Sequence, residues 1–251
     1  MTESQSTPAS ESHPLREGLP PLPHYLHGAR VDERGYPVPF FVAWVQGKPD
    51  HRLVDPDKLR RCVQGNLCWV CGQPLGRFRT FVLGPMCAIT RVSSEPPAHL
   101  VCATFAVQAC PFLSRPQAHR RGANLPDEVV PPAGHFVRRN PGVTGLWTCH
   151  GYGLIQVPPS AEDDGTSPGM LFEVHEPDAL EWFMHGRHAK RHEVEESIAS
   201  GLPVLVERAR AYPGGEAAAM KEIQDRMAYV SSLLDQSFAL RGGVAHGGAG
   251  V

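Results

Sequence analysis

Four residues between positions 68 and 102 have the types and spacing of metal ligands. Cys68 and Cys71 form a C-x-x-C pair followed directly by Gly72, and an H-x-x-C pair, His99 and Cys102, comes later in the chain. A C-x-x-C turn directs both thiolates at one point, and a glycine behind it relieves the strained backbone. Zn²⁺ takes four such donors in a tetrahedron, so the two pairs predict a zinc site.

Other cysteines keep alternative ligand sets open. Cys110 follows the H-x-x-C pair by two helical turns, and Cys87 lies on a predicted strand, so either thiol could displace His99. An all-cysteine set would also suit an iron–sulfur cluster, although the spacing fits no common ferredoxin pattern. Cys62 and Cys149 are isolated and are interpreted as core or surface thiols.

The elements around these ligands predict how they are held. Residues 77–83 alternate in polarity and are predicted to form the first strand of a hairpin, with residues 86–91 as its return strand. A helix is predicted to begin near Pro97 and to stop before Pro111. A C-x-x-C turn, a hairpin and two ligands from the first turn of a helix form a treble-clef-like layout. Four protein ligands leave no position for a substrate water, so the metal is expected to be structural.

This layout resembles the zinc-bracketed frame of HNH nucleases, but strand 77–83 contains no histidine in the catalytic position and the positioning asparagine has no clear counterpart. Longer runs resemble an uncharacterised family of proteins from bacteria and their phages. The runs that carry this resemblance are Cys68–Gly76, Phe81–Cys87, Ser93–His99, Cys102–Ala103, Cys110–Leu113, Arg138–Thr144 and Ala199–Pro203. The resemblance implies that Cys87, His99 and Cys110 share one motif with the C-x-x-C turn, and it brings no activity with it.

The second half of the chain predicts a small antiparallel sheet followed by helices, which makes the whole an α+β protein. The predicted strands form a meander of residues 142–149, 152–157 and 170–174, and the predicted helices begin at Asp178, Arg191 and Glu216, the second ending at Gly201–Pro203. Four regions follow from these patterns: a disordered tail (1–22), a cysteine-rich metal-binding module (23–125), a sheet with helices (126–241) and a flexible end (242–251).

A second group of possible ligands is formed by His185, His188 and His192. On an unbroken helix they would share one face, but Gly186 interrupts the pattern and basic residues surround it, so we interpret the group as solvated. The sequence contains no Walker loop, no dinucleotide-binding glycine pattern and no nucleophile elbow. Whether the protein is an enzyme is left open.

Composition predicts a protein of the reducing cytoplasm. The chain has seven cysteines without a signal peptide, and no segment approaches the length of apolar residues that a membrane span requires. Charge is unevenly distributed: residues 58–121 contain nine basic residues and one acidic residue, whereas residues 161–251 contain eight basic and fifteen acidic residues. The two halves could dock on each other, or the basic region could face an anion.

Two functions remain as hypotheses. The first is a zinc-stabilised intracellular binding protein that contacts nucleic acid or an acidic protein through Arg77, Arg79, Arg91, Arg115, Arg120 and Arg121. The second is a metalloenzyme or iron–sulfur protein that uses Cys87 or Cys110 and holds a small molecule between the two halves.

Overall fold

The computed structural model describes residues 13–116, 134–135, 140, 142–159, 166–210 and 215–244. Its strands are β1 (Val42–Val45), β2 (Lys48–Val54), β3 (Arg79–Leu83), β4 (Val92–Ser93), β5 (Gly134–His135), β6 (Thr144–Cys149), β7 (Tyr152–Val157), β8 (Thr166–Ser167), β9 (Gly169–Val174), β10 (Pro177–Met184) and β11 (Arg187–His188). Its α-helices are α1 (Pro56–Gly65), α2 (Pro85–Thr90), α3 (Leu100–Ala109), α4 (Arg191–Arg210) and α5 (Glu216–Val244), and a 3₁₀ turn covers His24–Leu26. None of the helices described here is long and apolar enough to cross a membrane.

A four-stranded antiparallel sheet in the order β11-β10-β6-β3 forms the centre of the molecule. Strand β6 is buried at all six positions, as expected for a strand covered on both faces. Alternate residues therefore enter two different cores. Trp147 and Phe81 face one core, while Leu146 and Phe183 pack with α3 in the other.

The first core lies between the central sheet, helices α2, α4 and α5, and a second antiparallel sheet in the order β4-β9-β7. Phe172 of β9, Val194 of α4 and Val230 of α5 are fully or almost fully buried there. The second core lies on the opposite face, where α3 and the C-x-x-C turn meet β3 and β6. The model is thus mixed α and β with antiparallel sheets, as the sequence predicted.

The predicted zinc hairpin is not formed. Residues 86–91, predicted as its return strand, lie in and just after α2, which begins with Pro85 at the first helical position after Gly84 in an extended conformation. Strand β3 pairs instead with β6, more than sixty residues away in the sequence. The treble-clef layout is therefore not confirmed, because its second strand is missing.

Two further element predictions were wrong. The segment from Asp178 was predicted to be helical but forms β10, since pairing with β6 and the burial of Leu180 and Trp182 outweigh local helix propensity. The meander was also wrong. Strand β6 lies in the central sheet, whereas β7 pairs with β9 in the second sheet.

Helix α4 continues through Gly201 and Pro203, where its end was predicted. Gly201 is explained by packing, because a Cβ atom there would lie 2.9 Å from the side chain of Met86 on α2. Pro203 removes one backbone hydrogen bond without ending the helix. The predicted C-terminal helix is present as α5 and extends beyond Leu234.

The boundary predicted at residue 125 divides one sheet, because β3 precedes it in the sequence and β6 and β10 follow it. In the predicted disordered tail, Leu19 and Leu22 pack against the second core and Arg16 donates a backbone hydrogen bond to Gly35 at 2.9 Å. Residues 1–12 of that tail and residues 245–251 of the predicted flexible end lie outside the described residues, as do residues 117–133 and 160–165.

Candidate metal centre

The four predicted ligands converge on one point. Cys68, Cys71, His99 and Cys102 each direct one ligand atom into a group whose atoms all lie within 4.8 Å of one another, and this is the one such group of at least three metal-binding side chains among the described residues. The four residues are therefore positioned to bind a metal ion. The group is compatible with zinc by the chemistry of its donors, three thiols and one imidazole.

The C-x-x-C turn supplies two of the ligands. Its backbone is closed by hydrogen bonds from Gly72 to Cys68 and from Cys68 to Gln73, both at 2.8 Å. Gly72 has a φ of +73°, and a Cβ atom there would lie 2.6 Å from the ring of Phe40. A glycine is thus required by both conformation and space, as the motif predicted.

The start of helix α3 supplies the other two ligands. His99 is its N-cap residue in an extended conformation, and Cys102 follows in the first turn. The segment before the helix is fixed to β3 by paired backbone hydrogen bonds between Thr80 and Ala98, at 3.0 and 2.8 Å. The central sheet therefore positions the helix start opposite the C-x-x-C turn.

The imidazole of His99 is oriented for metal binding. Its Nε2 lies 3.0 Å from the carbonyl oxygen of Pro74, which can only accept a hydrogen bond, so the proton is on Nε2. Its Nδ1 then carries the lone pair and lies 3.4 Å from Sγ of Cys71 and 3.8 Å from Sγ of Cys102. A ligating histidine whose other ring N–H donates to a backbone carbonyl is the usual arrangement around protein-bound metals.

An N-terminal segment covers the exposed side of this ligand. The ring of Tyr25 stacks on His99 with centroids 4.0 Å apart and an interplanar angle of 2°. The adjacent Leu26 is buried and belongs to the same core cluster as Cys68 and Cys102. The 3₁₀ turn at His24–Leu26 is therefore part of the centre.

Hydrogen bonds favour a thiolate at Cys68, although burial opposes it. Cys68 and Cys102 are completely buried, whereas Cys71 and His99 are partly exposed. Hydrogen bonds from the thiols of Cys102 and Cys71, with help from the backbone N–H groups of Cys71 and His99, hold the pKa of Cys68 far below its ordinary value. The pKa of Cys102 is raised in turn, because its proton is shared with the other two sulfurs. A divalent cation would replace these shared protons.

The alternative ligands lie elsewhere. Cys110 is the C-cap of α3, eight residues and about 12 Å of helix beyond Cys102. Cys87 lies on α2, where burial raises the pKa of its thiol. Neither belongs to the ligand group, so the all-cysteine sets are not formed. Cys62 and Cys149 are buried, and burial raises the pKa of the Cys62 thiol to about 12.

The histidine group after residue 184 does not share a helix. His185 occupies a left-handed turn with a φ of 53°, His188 lies on β11, and His192 is in the first turn of α4. Nδ1 of His188 is 3.8 Å from a carboxylate oxygen of Glu181. Among the described residues, these histidines do not belong to a group that could hold a metal ion.

The predicted anion-binding arginines have different surroundings. Arg91 is held by the second half of the chain, since it donates to the carbonyl of Val174 and forms an ion pair with Glu176 at 2.5 Å. Arg77 donates through Nε to His150, and Arg79 donates to the carbonyl of Gly76. Arg115 is exposed, whereas Arg120 and Arg121 lie outside the described residues.

Sequence reasoning missed the residues that orient the predicted ones. Tyr25 is more than seventy residues from His99, and His150 is seventy-three residues from Arg77. No spacing rule connects such positions.

In comparisons with known proteins, no family model, no curated protein and no solved structure matches this chain. The resemblance to the uncharacterised bacterial and phage family therefore stays a prediction.

Proposed function

We propose that this protein is a zinc-stabilised binding protein with an anionic partner, in which the metal holds the partner-binding region together and performs no reaction. The observation that supports this most directly is the convergence of three thiols and the Nδ1 atom of His99 within 4.8 Å. Zn–S bonds of about 2.3 Å and Zn–N bonds of about 2.0 Å separate sulfur from nitrogen by about 3.5 Å in a tetrahedron. The measured separations of 3.4 and 3.8 Å lie on either side of that value.

A structural role fits the composition of the site. Four protein ligands fill a tetrahedral zinc ion and leave no position for a substrate or an activated water. The site also links parts of the chain that are distant in sequence: the C-x-x-C turn, the start of α3 and, through Tyr25, the N-terminal segment. Zinc binding energy would contribute directly to folding this region.

The competing function, a metalloenzyme or iron–sulfur protein, is less well supported. It depends on Cys87 or Cys110 replacing His99, and both lie outside the ligand group. It also requires an open coordination position, which the set of four ligands does not offer.

An anionic partner, with nucleic acid as the first candidate, is favoured by the uneven charge. The net charge of residues 58–121 is +8. The charge of Arg91 is paired with the acidic half of the chain, through Glu176. Arg115 has no such partner in the described part of the structure. Unpaired arginines attract polyanions, and each phosphate contact releases a counterion, so affinity would fall steeply with salt.

Metal analysis of the purified full-length protein tests the zinc proposal. We expect a colourless protein with one zinc per chain, loss of zinc in Cys71→Ser and retention of zinc in Cys110→Ser, the matched control. A brown protein containing iron, or full zinc content in Cys71→Ser, would overturn the proposal.

A salt titration tests the anionic partner. Zinc-loaded protein should bind a labelled oligonucleotide at low salt and release it at moderate salt, and charge reversal at Arg120 and Arg121 should weaken binding without changing zinc content. Binding that does not depend on salt or on these arginines would refute the electrostatic argument.

A further inference from the structure

A hydrogen-bonded line of three side chains fixes Arg77 at the surface beside β3. Oδ2 of Asp178 lies 2.7 Å from Nδ1 of His150, and Nε of Arg77 donates to Nε2 of His150 at 3.0 Å. An imidazole nitrogen that accepts a hydrogen bond carries no proton, so the proton of His150 is on Nδ1 and is donated to the carboxylate. Asp178 therefore orients His150, and His150 orients Arg77.

This anchoring leaves the outer part of the guanidinium free. Only Nε of Arg77 is engaged, and no residue in the described part of the chain bonds to its two terminal nitrogens. Those two NH₂ groups form a planar fork that matches two oxygens of a phosphate. Because His150 already restricts the side chain, less conformational entropy is lost when the fork binds an anion.

An exposed aromatic ring lies beside this arginine. Phe78 is 47% exposed and belongs to neither core cluster. The guanidinium carbon of Arg77 lies 5.6 Å from its ring centroid, and the ring of His150 lies 4.9 Å away at a tilt of 57°. Phe78 thus has two polar neighbours and nearly half of its surface in solvent.

We infer that Arg77 and Phe78 form a contact site for single-stranded nucleic acid, in which Phe78 stacks on an unpaired base and Arg77 binds a phosphate. This inference rests on the proposed anionic partner and names its class. An exposed aromatic residue beside an arginine is the combination that binds single strands, because every base offers a face for stacking. In a duplex the base faces are already stacked on one another, so Phe78 would not contribute to duplex affinity.

The local charge agrees with this ligand. Arg79 lies next to Phe78 in the sequence and contributes a second positive charge, although it is partly engaged by the carbonyl of Gly76. Asp178 contributes one negative charge. Together with Arg77 and Arg79 it gives a local net charge of +1. His150 and Asp178 act as positioning residues and do not contact the strand.

Binding of the zinc-loaded, full-length protein to a labelled oligothymidine strand, with a duplex of equal length beside it, tests the inference. Stacking on one base contributes about 1–3 kcal/mol, so Phe78→Ala should weaken single-strand binding about 5- to 150-fold and leave duplex binding unchanged. Phe78→Trp keeps an aromatic ring and should retain single-strand binding. Leu154→Ala is the matched control, because Leu154 is an equally apolar side chain, 52% exposed on β7. Arg77→Gln should reduce the salt dependence, and His150→Ala should do the same to a smaller extent.

Equal single-strand affinity in Phe78→Ala and Leu154→Ala would overturn the inference, as would a preference for the duplex. If Phe78→Ala binds the single strand as tightly as Leu154→Ala does, and charge reversal at Arg120 and Arg121 abolishes binding, the anionic partner stands and this site falls. If no oligonucleotide binds at low salt while zinc content is one per chain, both the site and the nucleic-acid partner fall, and the zinc centre stands.

Discussion

Replacing Tyr25 with alanine should weaken zinc binding without removing a ligand. The phenol ring lies parallel to the imidazole of His99 at 4.0 Å and is 37% exposed, so it covers the solvent side of that ligand. The ring holds the imidazole with Nδ1 directed at the sulfurs. Without it, more rotational freedom of His99 is lost when the metal binds.

The size of the effect follows from the contact. A stacked aromatic pair contributes about 0.5–1.5 kcal/mol beyond its buried area. At 1.4 kcal/mol per factor of ten, Tyr25→Ala should raise the zinc dissociation constant about 2- to 12-fold. Losing a hydrogen-bonded partner of a metal ligand typically costs about 10- to 100-fold, and Tyr25 makes no hydrogen bond to His99, so the smaller range applies.

Competition with a colorimetric zinc chelator measures this constant directly. Tyr25→Phe keeps the stacked ring and should bind zinc like the wild type. Leu26 remains as the apolar anchor of the segment in both variants, so a difference between them reports the stack itself. Equal zinc affinity in Tyr25→Ala and wild type would refute the reasoning, and so would an equal loss in Tyr25→Phe.

Two further substitutions test the backbone of the C-x-x-C turn and a buried carboxylate, Asp32. Gly72→Ala should destabilise the zinc-bound state by about 1–3 kcal/mol in denaturant unfolding, because φ is +73° and the added Cβ would lie 2.6 Å from the ring of Phe40; unchanged unfolding would show that the turn can relax. Burial raises the pKa of Asp32, but hydrogen bonds from neighbouring backbone N–H groups and an arginine outweigh it, so the folded pKa lies below the ordinary 3.8. Its contribution to stability is therefore present above the ordinary pKa of 3.8 and is lost as the pH falls through the lower pKa of the folded state. Asp32→Asn should flatten this part of the acid unfolding curve, and a curve parallel to wild type would contradict the assignment.

The sequence alone identified the four residues that are positioned to bind a metal ion, because their geometry is local. Cys68 and Cys71 belong to one turn, and His99 and Cys102 belong to the first turn of one helix, so type and spacing suffice to bring each pair together. The end of α3 before Pro111 was also readable, since a proline cannot continue the helix, but its start was not: the helix was predicted to begin near Pro97 and begins at Leu100.

Pairings between distant segments could not be read in this way. Residues 178–183 contain good helix formers, yet they form β10 because β6 offers a partner strand and a buried face. Residues 86–91 were predicted to return beside β3, but β6 occupies that position and leaves them to form α2. Local propensity differs by only a fraction of a kcal/mol per residue, so burial in a shared core decides between the alternatives.

Local and long-range information also differ for the candidate ligands and for the residues that orient them. The sequence determined which side chains can bind a metal, and the tertiary structure decided which of the remaining candidates stay outside, as Cys87 and Cys110 do. It also decided that Tyr25 covers His99 and that His150 holds Arg77. These contacts join residues more than seventy positions apart, and their energy exists only after the chain has folded, so no local pattern encodes them.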